Sequence, residues 1–184
     1  MAICVKLVLI RHPQPDVDAG ICYGKTNLQL REPAMVSAQN ISSKLLAHLQ
    51  APSHMACSPL QRCAGLGSAL AALHPTAAIN FDVRLQELDF GCWEMQPWDN
   101  IGKSVMDTWI ASNFDAHHGG ESLEDLDSRV ASWLQDAQSS YAADQTLWVI
   151  THAGVIRSIL RQKNICSFEE SLKYPIPYGH FIHI

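Results

Sequence analysis

Val8-Leu9-Ile10-Arg11-His12-Pro13 is the stretch on which the reading of this chain turns. The apolar run, rich in β-branched residues, predicts a buried strand, and Pro13 ends it. In an α/β sheet, ligands gather where the chain leaves the carboxyl end of a strand, which puts Arg11 and His12 where a ligand is met. The pair suits a phosphate: a fixed fork of donors beside an imidazole that can act as a nucleophile. A second run of the same kind, Thr146-Leu147-Trp148-Val149-Ile150-Thr151, is closed by His152-Ala153-Gly154 and passes straight into a helical pattern. A helix N-terminus offers free N–H groups and a partial positive charge to an anion. Taken singly, each end also reads as a strand that merely stops in polar residues, and His152 as a capping or core histidine. If the two strands are neighbours, two histidines and an arginine converge.

Outward from these runs the chain alternates. Residues 13–32 carry Pro13, Pro15, Asp16, Asp18 and Gly20 and read as a long loop, a length that is often functional. Val36, Ile41, Leu45 and Leu49 give residues 33–49 a helical spacing, with Pro33 in the first turn. A short strand at 54–57 gives way to Ser58-Pro59, a cap and first position for a helix to about residue 73. Residues 78–81 read as a strand, 84–100 as mostly loop, and 103–114 as a helix with Val105, Met106, Trp109 and Ile110 on one side. Ser122 with Asp125 forms a capping box ahead of Leu123, Leu126, Val130, Leu134, Ala137 and Tyr141. A helix over 155–163, a short helix begun by Ser167 and Glu170, and a strand at 180–183 complete the series. Strands alternating with helices predict an α/β fold, three-layer α/β/α with a largely parallel central sheet, in one domain over residues 1–184.

The 184 residues are 47% hydrophobic and 17% charged, ordinary for a globular protein. A net charge of −5 argues against a broad nucleic-acid-binding or anionic-membrane surface but leaves room for a local basic pocket. The first apolar run is too short to span a bilayer and lacks a basic start and a cleavage site, so it reads as a strand and not a signal peptide. Cys4, Cys22, Cys57, Cys63, Cys92 and Cys166 form no C-x-x-C pair and are expected to be reduced thiols, several of them buried, in a cytoplasmic protein.

Two further residues are candidates for chemistry. Arg62 falls one turn into the helix after Ser58-Pro59-Leu60, near a strand end, although an arginine there is usually a solvated charge. Glu87, in Leu85-Gln86-Glu87-Leu88-Asp89-Phe90-Gly91, is a carboxylate among apolar residues, a setting that suits general-acid work. Asp89 and Glu94 are rivals that spacing does not separate. Gly24-Lys25-Thr26 and Gly102-Lys103-Ser104 echo the end of a phosphate-binding P-loop, but Ala19 and Pro97 stand where the leading glycine is required, and neither follows a strand. Nine histidines raise the question of a metal hydrolase. There is no H-E-x-x-H or C-x-x-C, and His117-His118 reads as exposed loop.

In order, Arg11-His12-Pro13, Ser58-Pro59-Leu60-Gln61-Arg62, Glu87 ahead of Gly91-Cys92-Trp93-Glu94, Gly119-Gly120-Glu121-Ser122 and Thr151-His152-Ala153-Gly154 resemble the motif series of the histidine phosphatase superfamily, also called phosphoglycerate mutase-like. Pro13 and Ala153 stand where that family usually has glycine. The loop Gly20-Ile21-Cys22-Tyr23-Gly24-Lys25-Thr26 resembles the branch of the α-ribazole phosphatases, of the adenosylcobalamin pathway. The resemblance implies a phosphomonoester hydrolase with His12 as nucleophile, Arg11, Arg62 and His152 on the phosphoryl oxygens, and Glu87 as proton donor. It also implies Tyr23, Gly24 and Thr26 at the substrate, a small phosphorylated metabolite as the partner, and no metal or other cofactor. α-Ribazole 5′-phosphate is the named candidate. The alternatives are another sugar or nucleotide phosphate, a mutase of the phosphoglycerate type, or a nucleotide-binding protein. Tyr23, Trp93 and Trp98 are candidates to stack on a substrate ring, with Trp109 read as core.

Overall fold

The computed structural model describes residues 5–142 and 145–184; residues 1–4, with Cys4 and the start of the first apolar run, lie outside them. The strands are β1 (Lys6–Arg11), β2 (His54–Cys57), β3 (Ala78–Phe81), β4 (Thr146–Thr151) and β5 (Phe181–His183). The α-helices are α1 (Ala34–Leu46), α2 (Gln61–Leu73), α3 (Trp98–Ile101), α4 (Lys103–Ala111), α5 (Leu123–Ser140), α6 (Ala153–Gln162) and α7 (Phe168–Lys173). The strands form one sheet in the order β3-β2-β4-β1-β5, parallel except for β5, which runs antiparallel along β1.

Alternation along each central strand builds two cores. Val8 and Ile10 of β1, with Trp148 and Ile150 of β4, face one side and pack with Ile41 and Leu45 of α1 and Leu66 and Leu70 of α2. Leu7 and Leu9, with Leu147 and Val149, face the other and pack with Leu126, Val130 and Leu134 of α5 and Ile156 and Ile159 of α6. Strands covered on both faces read as unbroken apolar runs. The result is the expected three-layer α/β/α arrangement.

Strand register brings the polar strand ends together. β1 and β4 are adjacent and parallel, and Arg11 pairs with Thr151, so His12 and His152 leave the sheet side by side. β2 pairs with the other edge of β4, which brings Ser58 to the same rim. The capping boxes at Ser122/Asp125 and Ser167/Glu170 are both formed.

Several local expectations need correction. Ser58 does not cap α2; the helix starts at Gln61 after Leu60, and no side chain caps it. Residues 84–100 hold two short 3₁₀ turns and α3. Helix α4 ends at Ala111, and Val105 and Ile110 are exposed while only Trp109 is buried. His118 is buried, whereas His117 is exposed. The His118 ring packs against Trp93 at 4.7 Å, Phe90 at 5.8 Å and Trp109 at 6.0 Å, an aromatic cluster that anchors the segment before α5. Trp93 and Trp109 belong to this cluster and are buried, which removes Trp93 from the candidates for ring stacking. Cys22, Cys57 and Cys63 are buried thiols. Among the described residues, no helix is long and apolar enough to cross a membrane.

Candidate active site

Arg11 ends β1, and His12 follows it fully buried at the sheet rim. The Nδ1 of His12 lies 2.6 Å from the carbonyl oxygen of Pro13. A carbonyl can only accept, so Nδ1 carries the proton and donates, and Nε2 keeps its lone pair. Arg62, also fully buried, donates from Nε to that Nε2 at 3.3 Å. Its two Nη groups donate to the carbonyls of Thr26 at 2.7 Å and Gly24 at 2.5 Å, which fixes the guanidinium beside His12. Pro13, the departure from the glycine of the motif, still supplies the backbone carbonyl that His12 Nδ1 uses.

The His152 ring stands edge-on to that of His12, with centroids 5.1 Å apart. Its Nε2 lies 2.8 Å from the hydroxyl of Ser58 and 3.4 Å from the thiol of Cys63. Ser58 thus acts as the partner of His152, a role that the local sequence disguises as helix capping. Burial first, then the Arg62 guanidinium, push the pKa of both histidines well below the usual imidazole value; Arg11 adds to this at each. Both rings are therefore neutral at pH 7.

This makes the fold acid-sensitive, with a definite sign. The unfolded chain takes up protons on these histidines near pH 6.5, while the folded chain resists doing so. The stabilisation is complete above pH 6.5 and is lost as pH falls below it. Buried His118 and His74 are shifted in the same direction, by burial. Urea midpoints measured from pH 8 to pH 5 should fall steadily below about pH 6.5, at up to about 1.4 kcal/mol per pH unit for each such histidine. A flat profile over that range would contradict this.

The three carboxylates that spacing leaves unresolved do different things. Glu87 lies with Arg11 and His12 on the wall of a cavity of about 390 Å³. Its oxygens accept from the N–H groups of Leu88 and of Gly154 in the first turn of α6, both at 3.1 Å. A Cβ at Gly154 would overlap Glu87 Oε1, so any other residue there must displace the carboxylate. The segment carrying Glu87 is held from behind. Arg129 donates to the carbonyls of Arg84, Gln86 and Glu87 and is paired with Glu121 of the Gly119-Gly120-Glu121-Ser122 element. Asp89 instead accepts from Gly91 N–H at 2.8 Å and meets Lys25 at 3.5 Å.

Glu94 is turned away from the cavity and organises a loop. It accepts from the N–H groups of Gly24, Lys25, Thr26 and Phe90 at 2.8–3.1 Å, and from the Thr26 hydroxyl. Burial opposes its charge, but these donors win and hold its pKa below the usual carboxylate value. Gly24 packs so tightly that a Cβ would overlap the Leu88 carbonyl oxygen. Gly24 and Thr26 therefore support Arg62 and receive Glu94, and neither lines the cavity; Tyr23 does. Glu94→Ala would orphan up to four N–H groups and should cost about 3 kcal/mol in urea unfolding, at about 1–3 kcal/mol per buried unpaired group. A loss below about 1 kcal/mol would show that the loop holds itself.

The rest of the cavity wall is Gln14, Val17, Asp18, Ala19, Gly20, Ile21, Trp98 and Tyr178. All but Trp98 and Tyr178 come from the long loop over residues 13–32. Tyr178 escapes a sequence reading because β5 brings it to the site from the far end of the chain, and no local pattern marks it. The Gly24-Lys25-Thr26 segment that echoes a P-loop closes on a carboxylate, the opposite of a phosphate cradle.

Arg11, His12 and Glu87 thus line the cavity, while Arg62 and His152 are fully buried against His12 and are not on its wall. The structure resembles that of the α-ribazole phosphatase from Shigella flexneri, with a TM-score of 0.81 at 21% identity over 97% of this chain and 89% of that one. It likewise resembles a mycobacterial glucosyl-3-phosphoglycerate phosphatase, with a TM-score of 0.78 at 19% identity over 97% and 89% of the two chains. By sequence it is 27% identical over 161 residues, 84% of this chain and 76% of the other, to a protein of Hydrogenobacter thermophilus named "Putative phosphoserine phosphatase 2". The family model of the histidine phosphatase superfamily (branch 1) matches residues 7–184, nearly the whole motif-bearing chain, and the chain belongs to that superfamily as one of its phosphatases.

Proposed function

We propose that the chain hydrolyses a small phosphomonoester in two steps through a phosphohistidine on His12. The observation that carries this reading is the fixed tautomer: with Nδ1–H held by Pro13, the lone pair of Nε2 is the nucleophile. Nε2 attacks phosphorus as the bond to the leaving oxygen breaks. Arg62 Nε, already at Nε2, turns to the phosphoryl oxygens together with Arg11, whose own Nε is buried and finds no hydrogen-bond partner among the described residues. His152 completes the charge stabilisation, which is the larger part of phosphoryl-transfer catalysis. Glu87 gives its proton to the departing alkoxide, then takes one from the water that attacks phospho-His12 and releases phosphate.

Arginines and imidazoles carry the charge in this scheme, so no metal ion takes part and turnover should survive a chelator. Among the described residues, no group of three or more His, Cys, Asp or Glu is placed to hold a metal ion.

For the substrate we favour α-ribazole 5′-phosphate. The cavity lining is mostly polar, but Tyr23, Trp98 and Tyr178 add aromatic rings on which the flat, uncharged base of that substrate's leaving group can stack. Phosphoserine is the second reading, because Asp18 on that wall could meet its ammonium group. Turnover across α-ribazole 5′-phosphate, phosphoserine, 3-phosphoglycerate and glucosyl-3-phosphoglycerate decides between them. The highest kcat/KM is expected for the first, and a preference for phosphoserine or for either of the two glycerate esters would overturn that choice.

A further inference from the structure

Tyr178 belongs to none of the motifs quoted above, yet its side chain meets Arg11, His12 and Tyr23. Its ring lies over the Arg11 guanidinium, 4.0 Å from the centroid, and 5.7 Å from the His12 ring. Its hydroxyl is 2.5 Å from the hydroxyl of Tyr23, whose own ring faces the Arg62 guanidinium at 5.3 Å. The turn that carries it grips the same step of chain. Ile176 O accepts from Arg11 Nη1 at 2.5 Å, Gly179 N–H donates to His12 O at 3.2 Å, and His180 O accepts from Arg11 N–H at 2.9 Å. Tyr178 is 40% exposed, so burial alone does not hold it in place; the cation and the hydroxyl do.

We propose that Tyr178 is a positioning residue: its ring fixes the plane of Arg11, and the Tyr178–Tyr23 bond links Arg11 and Arg62 into one preorganised anion clamp. The proposal rests on the assignment of both arginines to the phosphoryl group. A free arginine loses rotamer freedom when it binds an anion, and a guanidinium already stacked on a ring has lost that freedom beforehand. Linking the hydroxyls extends the constraint to the arginine from α2. Burial, and then the bond from Tyr178, raise the pKa of the Tyr23 hydroxyl, so it stays protonated and able to take part in the bond.

Calorimetric binding of inorganic phosphate tests this without requiring turnover. Tyr178→Phe and Tyr23→Phe should each weaken phosphate binding by a similar factor, roughly 3- to 10-fold for one net hydrogen bond. The double variant should be no weaker than either single one, because all three lose the same bond. Tyr178→Leu should bind more weakly than Tyr178→Phe, and with p-nitrophenyl phosphate its KM should rise by a larger factor than its kcat falls. Wild-type affinity in both phenylalanine variants, or a double variant whose loss is the product of the single losses, would overturn the proposal. The two failures are distinguishable. An Arg11→Ala enzyme that binds phosphate as tightly as wild type would defeat the arginine assignment, whereas lost phosphate binding in Arg11→Ala with unchanged affinity in the phenylalanine variants defeats only the tyrosine link.

Discussion

Replacing His12 with alanine is expected to lower kcat by on the order of 10³-fold or more, the scale on which enzymes lose rate with their nucleophile. The arginines and His152 would remain, so inorganic phosphate should still bind. The effect is specific to Nε2, because the geometry gives the two nitrogens separate duties: Nδ1 is committed to the Pro13 carbonyl, while Nε2 has only the Arg62 Nε–H beside it. The neutral state follows from burial and from the two arginines, and it keeps the lone pair available below the pH at which a free imidazole would be protonated. Steady-state kinetics on any accepted phosphomonoester measure this. A His12→Ala enzyme within about tenfold of wild type, a loss well short of what a missing nucleophile costs, would remove the covalent mechanism.

Glu87→Gln should have the next largest effect, and one that depends on substrate. A general acid is worth about 10²–10⁴-fold when the leaving group needs a proton. An alkyl phosphate should lose activity on that scale, whereas p-nitrophenyl phosphate, whose phenolate leaves unaided, should lose far less in the first step. Equal losses on both esters in the pre-steady-state burst, which reads the first step alone, would mean that Glu87 does not protonate the leaving group. Gly154→Ala offers an independent route to the same result, since the added Cβ occupies the space of Glu87 Oε1 and must displace the carboxylate.

Sequence makes legible what sequence neighbours determine. β1 and β4 can be read because strands covered on both faces are apolar without interruption, and α5 because Ser122 and Asp125 sit three residues apart at its start. The neighbouring of β1 and β4, on which the meeting of His12 and His152 depends, is a fact of register that no local pattern contains. The choice among Glu87, Asp89 and Glu94 is beyond spacing for the same reason. What separates them is whether the partner is Gly154 of α6, Lys25, or the N–H groups of residues 24–26. His118 looks like a loop residue because its cage is assembled from Phe90, Trp93 and Trp109, none of them adjacent to it in sequence. Ser58 misleads in the opposite sense, since Ser-Pro is a sound local signal for a helix start and its hydroxyl is instead used by a residue 94 positions away. Gly24 and Thr26 sit in a loop expected at the substrate, but their backbones face Arg62 and Glu94.

Rapid quenching addresses the covalent intermediate most directly. Phosphohistidine is stable to base and labile to acid. Enzyme mixed with a phosphomonoester, quenched in alkali within the first turnovers and mapped by mass spectrometry should carry one phosphoryl group on His12 Nε2, and acid treatment should remove it. An acid-stable phosphoryl group, one on any other residue, or no phosphoenzyme at any time point while product forms would contradict a phosphohistidine mechanism.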